Sequence, residues 1–270
     1  VKARGRPRNP PRARGDLLSW IETLLLVTGI GALAPMVLYP FFNRFTYRVA
    51  RTVRVEPILP EELATADREY IESAAPDLIH RNYRFLGYGR TSGMTAGTMA
   101  CFGLFRNDDA KNLAMATVLS CAAGEKVHYL KIATKYTNGY AVDVGNSPVI
   151  GSFRNPDKLV LRYPRVTSFG KLWTISRWVT RSERRVLTAT PVLPAPGTEF
   201  PWIAEEIERE SAIRERSGYY RLDDLEGKYH LTWLGAFAMT LNNAIPLRNL
   251  RNLHDLRASR QAVRGMWAFA

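Results

Sequence analysis

The stretch VHYLKIATKYTNGYAVDV, residues 127–144, decides the fold. Two apolar-rich runs, 127–136 and 140–144, flank Asn138-Gly139. Asn-Gly between such runs is the strongest short hairpin signal, because a type I′ turn needs positive φ at both central residues. Toward the N-terminus, runs 97–105 and 113–121 form a second pair, joined by RNDDAKN. Residues 85–90 add a short strand. The expectation is an antiparallel meander of about four or five strands with a helix on one face.

Outside the sheet the chain reads as helices. Pro57 and Pro60 mark a turn, and Glu61 and Glu62 favour a helix start. Leu63, Ala66, Tyr70, Ile71, Ala74 and Leu78 give that helix one apolar face, which Pro76 either kinks or splits. Residues 168–184 read as a second helix, 199–216 as a charged third one stopped by Gly218. Residues 219–222 and 228–231 form a hairpin, and a helix from Thr232 runs to Pro246. The fold class is therefore α+β: an N-terminal transmembrane helix, an antiparallel β-meander packed with helices, and a C-terminal helix–hairpin–helix segment.

The transmembrane expectation rests on LLSWIETLLLVTGIGALAPMVLYPFF, residues 17–42, in which Glu22 is the only charge. Residues 23–42 span about 30 Å as a helix, the thickness of a bilayer's hydrocarbon core. Trp20 and Tyr39 suit its two interfaces, and a membrane helix tolerates Pro35 and Pro40. Ala32-Leu33-Ala34 has the form of a signal-peptidase site. Pro35 directly after it, and the apolar run on to Phe42, favour an uncleaved anchor instead.

Charge follows the same division. The 270 residues carry a formal net charge of +13. Residues 1–16 hold +5, residues 17–55 hold +3 and residues 248–270 hold +4, leaving +1 for residues 56–247. A nucleic-acid domain shows a basic face on its body. This body is near neutral, so the bilayer is the expected partner and nucleic acid is not. Arg44, Arg48, Arg51 and Arg54 directly follow the span and are candidates for anionic-lipid contact. The six basic residues before the span oppose them under the positive-inside rule; the arginine group taken alone favours the cytoplasmic side for the folded domain.

The expected organisation is a basic disordered tail (1–16), a transmembrane helix (17–42), a basic juxtamembrane segment (43–55) and an α+β domain with an antiparallel sheet (56–190). A Pro-rich linker (191–201), a wing-like helix–hairpin–helix (202–247) and a basic C-terminal helix or tail (248–270) follow. In the last segment Leu247, Leu250, Leu253 and Leu256 recur every three residues between arginines. On a helix they spread over half the circumference, a surface for the membrane interface or a protein partner.

Catalytic signatures are sparse. The chain has no G-x-S-x-G, H-E-x-x-H, C-x-x-C or Walker A pattern. His80, His128, His230 and His254 have no metal-ligand spacing, so neither metal nor cofactor is expected. The densest polar cluster near a strand end is Asp143, Asn146 and Ser147, a candidate base and nucleophile that turn chemistry also explains. The glutamates at 205, 206, 208, 210 and 215 read as a solvated helix face. A first hairpin turning about Asp109 would set Cys101 opposite Thr117 and Cys121 opposite Gly97. The two cysteines would then be about 13 Å apart and free.

The run 203–235, with Gly227-x-Tyr229-x-Leu231-Thr232-x-x-Gly235, resembles the recognition helix and wing of a winged-helix module. The whole layout resembles a family of uncharacterised bacterial single-pass membrane-anchored α+β proteins. The second resemblance implies a place in the bacterial cytoplasmic (inner) membrane and carries no catalytic residues. The expected function is a membrane-anchored accessory or interaction protein without catalysis. An enzyme acting on a lipid or envelope substrate is the first alternative, and a membrane-tethered winged-helix-like regulator the second.

Overall fold

The structure, a computed structural model, describes residues 13–95, 98–121, 124–149, 151–153, 155–245 and 247–264. It is α+β, with one mixed sheet of eight strands and a second of three. The large sheet runs β2 (Arg54–Ile58), β3 (Arg84–Thr95), β4 (Thr98–Asn107), β5 (Asn112–Ser120), β6 (Lys126–Tyr136), β7 (Ala141–Gly145), β8 (Lys158–Arg162). Neighbours pair antiparallel as far as β7; β7 and β8 are parallel. Two-residue β9 (Pro191–Val192) joins β6 at Lys135 and Tyr136. The presumed linker over 191–201 is thus partly a strand strapped to the sheet.

Helices cover both faces of this sheet, not one. On one side α2 (Thr65–Ile79) and α3 (Phe169–Ser182) bury Ile71, Leu78 and Leu172 against Phe105, Ile132 and Val144. Pro76 sits inside α2 without splitting it. On the other side α4 (Glu199–Arg216) sets Ile203, Phe200 and Ile207 on Phe102, Leu104 and Leu113. Double coverage explains why β4 is buried at every position from Ala100 to Asn107 rather than alternating.

Two turns differ from expectation. The loop between β4 and β5 holds four residues, so Cys101 pairs with Val118, one register position from the expected Thr117. Asn107 Oδ1 caps this loop by accepting from the Ala110 amide, and Lys111 takes φ 51°. Both cysteines are free, as expected. Around Asn138-Gly139 only Gly139 has positive φ, and the Gly139 amide donates to Tyr136 O. This is a three-residue loop closed by a left-handed glycine rather than a type I′ turn. Asn138 is occupied otherwise, its Oδ1 accepting from Tyr140 N and its Nδ2 donating to Arg185 O.

The smaller sheet has the order β1 (Arg48–Ala50), β11 (Lys228–Leu231), β10 (Tyr220–Asp223). Its core is Val49, Tyr220, Tyr229, Leu231, Ala236 and Met239. The segment 43–55 is thereby built into both sheets rather than lying apart as a juxtamembrane stretch. Helix α1 (Ala13–Thr46) enters β1 directly, and α5 (Trp233–Asn243) packs on its end. Trp233 meets Phe41 at 4.9 Å and Phe45 at 6.3 Å, and Asn43 Nδ2 donates to Thr240 Oγ1. Helix α6 (Leu247–Ala262) returns to the large sheet, where Ser259 Oγ accepts from Arg162 N and Ser259 O from the Tyr163 hydroxyl.

Among the described residues no helix is long and apolar enough to cross a membrane. Within α1 the side chains of residues 13–19, 21, 25, 28–30, 32, 33 and 35 lie outside the described ones. The expected transmembrane segment over 17–42 therefore falls partly outside them. Of the disordered tail expected over 1–16, residues 1–12 lie outside the described ones, and 13–16 are helical, the first turn of α1.

Candidate functional site

The sheet's two faces have different chemistry. Along β6 and β7, Leu130, Ile132, Val142 and Val144 point to α2 and α3, while Lys131, Lys135 and Asp143 point to α4. The alternation of a strand makes this inevitable.

On the α4 face the charges answer one another. Arg106 and Glu199, 6% and 5% exposed, pair at 2.8 Å. Arg106 also donates to Pro194 O and to Asp108, so one guanidinium holds the Pro-rich strap and the start of α4. Lys135 pairs with Glu206 at 2.6 Å. Asp143 lies between Lys131 (3.3 Å) and Lys158 (2.8 Å), and Lys158 reaches Glu210 at 2.6 Å. Burial pushes the Asp143 carboxyl up, but the two ammonium groups prevail and hold it below the usual carboxylate range. Glu210 is depressed in the same way, against burial, by Lys158. Groups locked as ions on both sides neither give nor take a proton near neutrality, so the cluster is an electrostatic clamp. Glu206 and Glu210 thus face a basic sheet, not solvent as their sequence pattern suggested.

The opposite face carries an open cleft of about 360 Å³. Helix α2 gives it Tyr70, Ser73 and Asp77; β6 gives His128; the loops after β7 and β8 give Asn146 and Thr167. His128 lies against the Tyr70 ring, centroids 4.6 Å apart at 30°. Burial, and then the neighbouring Tyr129, push the Tyr70 hydroxyl up to about 12. Among the described residues neither Ser73 nor Asp77 hydrogen-bonds His128. Ser73 donates to Tyr70 O, and Asp77 stands 3.7 Å from Arg81. The cleft therefore offers an imidazole, a carboxylate and hydroxyls without an assembled nucleophile–base pair.

The predicted cluster of Asp143, Asn146 and Ser147 is not one site. Asp143 faces α4, and Asn146 reaches the cleft on the far side of the sheet. Asn146 spends its amide on structure, accepting from Leu130 N at 2.6 Å and donating to Val166 O at 3.0 Å. Ser147 Oγ accepts from Val149 N as a turn former. Arg162, buried at the end of β8, holds this loop by donating to Ser147 O and Pro148 O. Of the cleft residues sequence reading singled out Asn146 and missed Tyr70, Ser73, Asp77 and His128 as a site. The available signal was His128 in phase with Leu130 and Ile132, and Tyr70 in phase with Asp77 seven residues on.

The four candidate lipid-contact arginines are placed singly. Arg44 lies in the last turn of α1. Arg48 is in β1 and donates to Tyr47 O; Arg51 stands 3.5 Å from Asp224; Arg54 opens edge strand β2. One histidine departs from expectation. Ligand atoms of Asp223, Glu226 and His230 lie within 4.8 Å of one another, a set able to hold a metal. The hairpin turn explains much of it, since Asp223 Oδ1 accepts from the Leu225 and Glu226 amides. Compared with family models, curated proteins and solved structures, the chain finds no match in any of the three.

Proposed function

We propose that the chain is a membrane-anchored accessory or interaction protein, with α1 in the bilayer and the α+β domain held at its surface. The observation that carries this reading is the outer surface of α1. Leu24, Leu26 and Val27 are exposed, as are Val37, Leu38, Tyr39, Phe41 and Phe42. At 100° per residue these positions spread over about 220° of the helix circumference. An exposed apolar arc that wide has no stable face for water, and lipid satisfies it. The 20 uncharged residues over 23–42 supply the length. The side of the membrane proposed for the domain is cytoplasmic, on the strength of Arg44, Arg48, Arg51 and Arg54.

Carbonate extraction of cells expressing the full chain tests the anchor. The expected result is full-length protein in the membrane pellet; a shortened, soluble chain overturns it. A reporter fused after Ala270 reads the orientation.

The cleft favours a second reading, an enzyme acting on a lipid or envelope substrate. The site moves from 143–147 to His128, with Tyr70, Ser73 and Asp77 around it. Turnover of p-nitrophenyl esters or phosphates that disappears in His128→Ala would support it; equal rates in both proteins would remove it. The winged-helix-like reading has less to rest on. Helix α4 spends Ile203, Glu206 and Glu210 on the sheet, and a salt-dependent shift of DNA by the full chain is its test.

A further inference from the structure

Helix α5 carries no charge, yet it is half exposed. Gly235, Ala236, Met239 and Thr240 are its buried face. Leu234, Phe237 and Leu241 recur at helical spacing on the outer face, and Ile245, 74% exposed, continues the stripe. Helix α6 extends it with exposed Leu247, Leu250 and Leu253. A solvated helix face is normally polar, and exposed apolar rows on two successive helices mark an interaction site.

Three features say what covers it. The stripe is continuous with α1, because Trp233 at the start of α5 touches Phe41 and Phe45. Its far end is basic, with exposed Arg248 and Arg257 beside the leucines. Finally, α5 crosses α1 instead of running beside it. Trp233 meets residues 41 and 45, and Thr240, seven residues later, still meets Asn43. Parallel helices would have moved about 10 Å along α1 over that interval. A helix crossing the end of a membrane-normal helix lies near the membrane plane.

We infer that α5 and the first half of α6 form an in-plane membrane contact, with Leu234, Phe237, Leu241, Ile245, Leu250 and Leu253 seated at the acyl boundary and Arg248 and Arg257 among anionic headgroups. The inference rests on the proposed anchoring of α1 and adds a second point of attachment. The domain's tilt is already tied to α1 by the one-residue connection to β1, and the second point sets which face of the domain meets the membrane. The second half of α6 transmits that constraint. Ser259 is bonded to Arg162 and Tyr163 at the sheet edge, and Trp178 Nε1 of α3 donates to Ala262 O.

The test uses the full chain with Cys101→Ala and Cys121→Ser, reconstituted in phosphatidylcholine–phosphatidylglycerol vesicles. Single cysteines replace Leu234, Phe237, Ile245 or Leu250 and carry an environment-sensitive fluorophore. Leu225→Cys, at the fully exposed hairpin tip, reports water, and Val27→Cys reports the anchor. The expected result is several-fold stronger quenching by shallow spin-labelled lipid at the four test positions than at 225. Water-like signals at the four positions with a lipid-quenched label at 27 overturn the in-plane contact and leave the anchor standing. A water-like signal at 27 as well overturns the anchor itself. Blue-shifted labels that lipid does not quench, with crosslinks between chains, also overturn the inference, in favour of a second copy as the occupant.

Discussion

Glu199→Gln is the most informative single change in the domain. It keeps the shape of the side chain and removes its charge. Arg106 is then left 6% exposed with Asp108, whose side chain is 54% exposed, as its only acidic partner among the described residues. Breaking a buried ion pair from one side costs about 3–5 kcal/mol, because the remaining charge stays desolvated. Asp108 stays at 2.7 Å, which places the expected cost at the lower end, about 3 kcal/mol. For a domain of this size that lowers Tm by on the order of 10 °C. The Gln side chain keeps one of the two acceptor oxygens, so either Arg106 or the Gly197 amide, which donates to Glu199 Oε2, loses its acceptor, and the strap should loosen along with α4. The assay is urea and thermal unfolding of the detergent-solubilised full chain, followed by tryptophan fluorescence and far-UV circular dichroism. Arg106→Met combined with Glu199→Leu should cost less than Glu199→Gln alone, since no charge is then stranded. A loss below about 1 kcal/mol for Glu199→Gln would refute the reasoning, for it would mean the pair is hydrated and worth no more than a surface bridge.

Acid should unfold the domain through Asp143 and Glu210. Both have depressed folded values, so their contribution is fully present above the unfolded values of 3.8 and 4.5 and is lost as pH falls through the folded ones. In Asp143→Asn the acid limb of a stability–pH profile should be shallower. Alkali should act through Tyr70 and Tyr136, which burial raises from 10.0 to about 12. Their stabilisation is intact below pH 10 and disappears as pH climbs toward 12, which absorbance at 295 nm follows directly. Gly235→Ala places a Cβ against the Tyr219 carbonyl oxygen, which already accepts from the Thr232 amide; a loss of about 1–3 kcal/mol in thermal unfolding is expected. Maleimide should modify half-exposed Cys121 well before buried Cys101, whose thiol burial also raises; equal rates would place Cys101 at the surface.

Much of the large sheet was legible because its signals are local. Asn138-Gly139, the period-2 runs on either side and the RNDDAKN loop each concern neighbouring residues. Helices α2 to α5 were legible for the same reason, through stops and periodicity, although Glu61 and Glu62 lie in a separate 3-10 turn and α2 begins only at Thr65. Long-range facts were not. Strand β8 pairs in parallel with β7 after a loop, strand β1 meets β11 across most of the chain, and neither has a local mark. The second covering helix was hidden by chemistry. Glu206 and Glu210 look solvent-facing because ionic side chains usually are; only Lys135 and Lys158 on the facing strands make burial tolerable. The polar cluster misled through proximity in sequence. Asp143 and Asn146 are three residues apart, and odd spacing on a strand sends two side chains to opposite faces. The cleft is assembled from α2, β6 and two loops, so no one stretch of sequence contains it.

One feature of the connection between α1 and the smaller sheet governs how the protein can meet anything else. Tyr47 alone separates the end of α1 at Thr46 from the start of β1 at Arg48. One residue spans at most about 3.6 Å. With α1 in a bilayer, the domain has no leash: it cannot sweep a volume above the membrane to capture a distant partner. Encounter becomes a two-dimensional search, limited to molecules that diffuse in the same leaflet or come down to its surface. A tilt of α1 also becomes a tilt of β1, so local membrane thickness or curvature is converted into orientation of the cleft without any intervening slack.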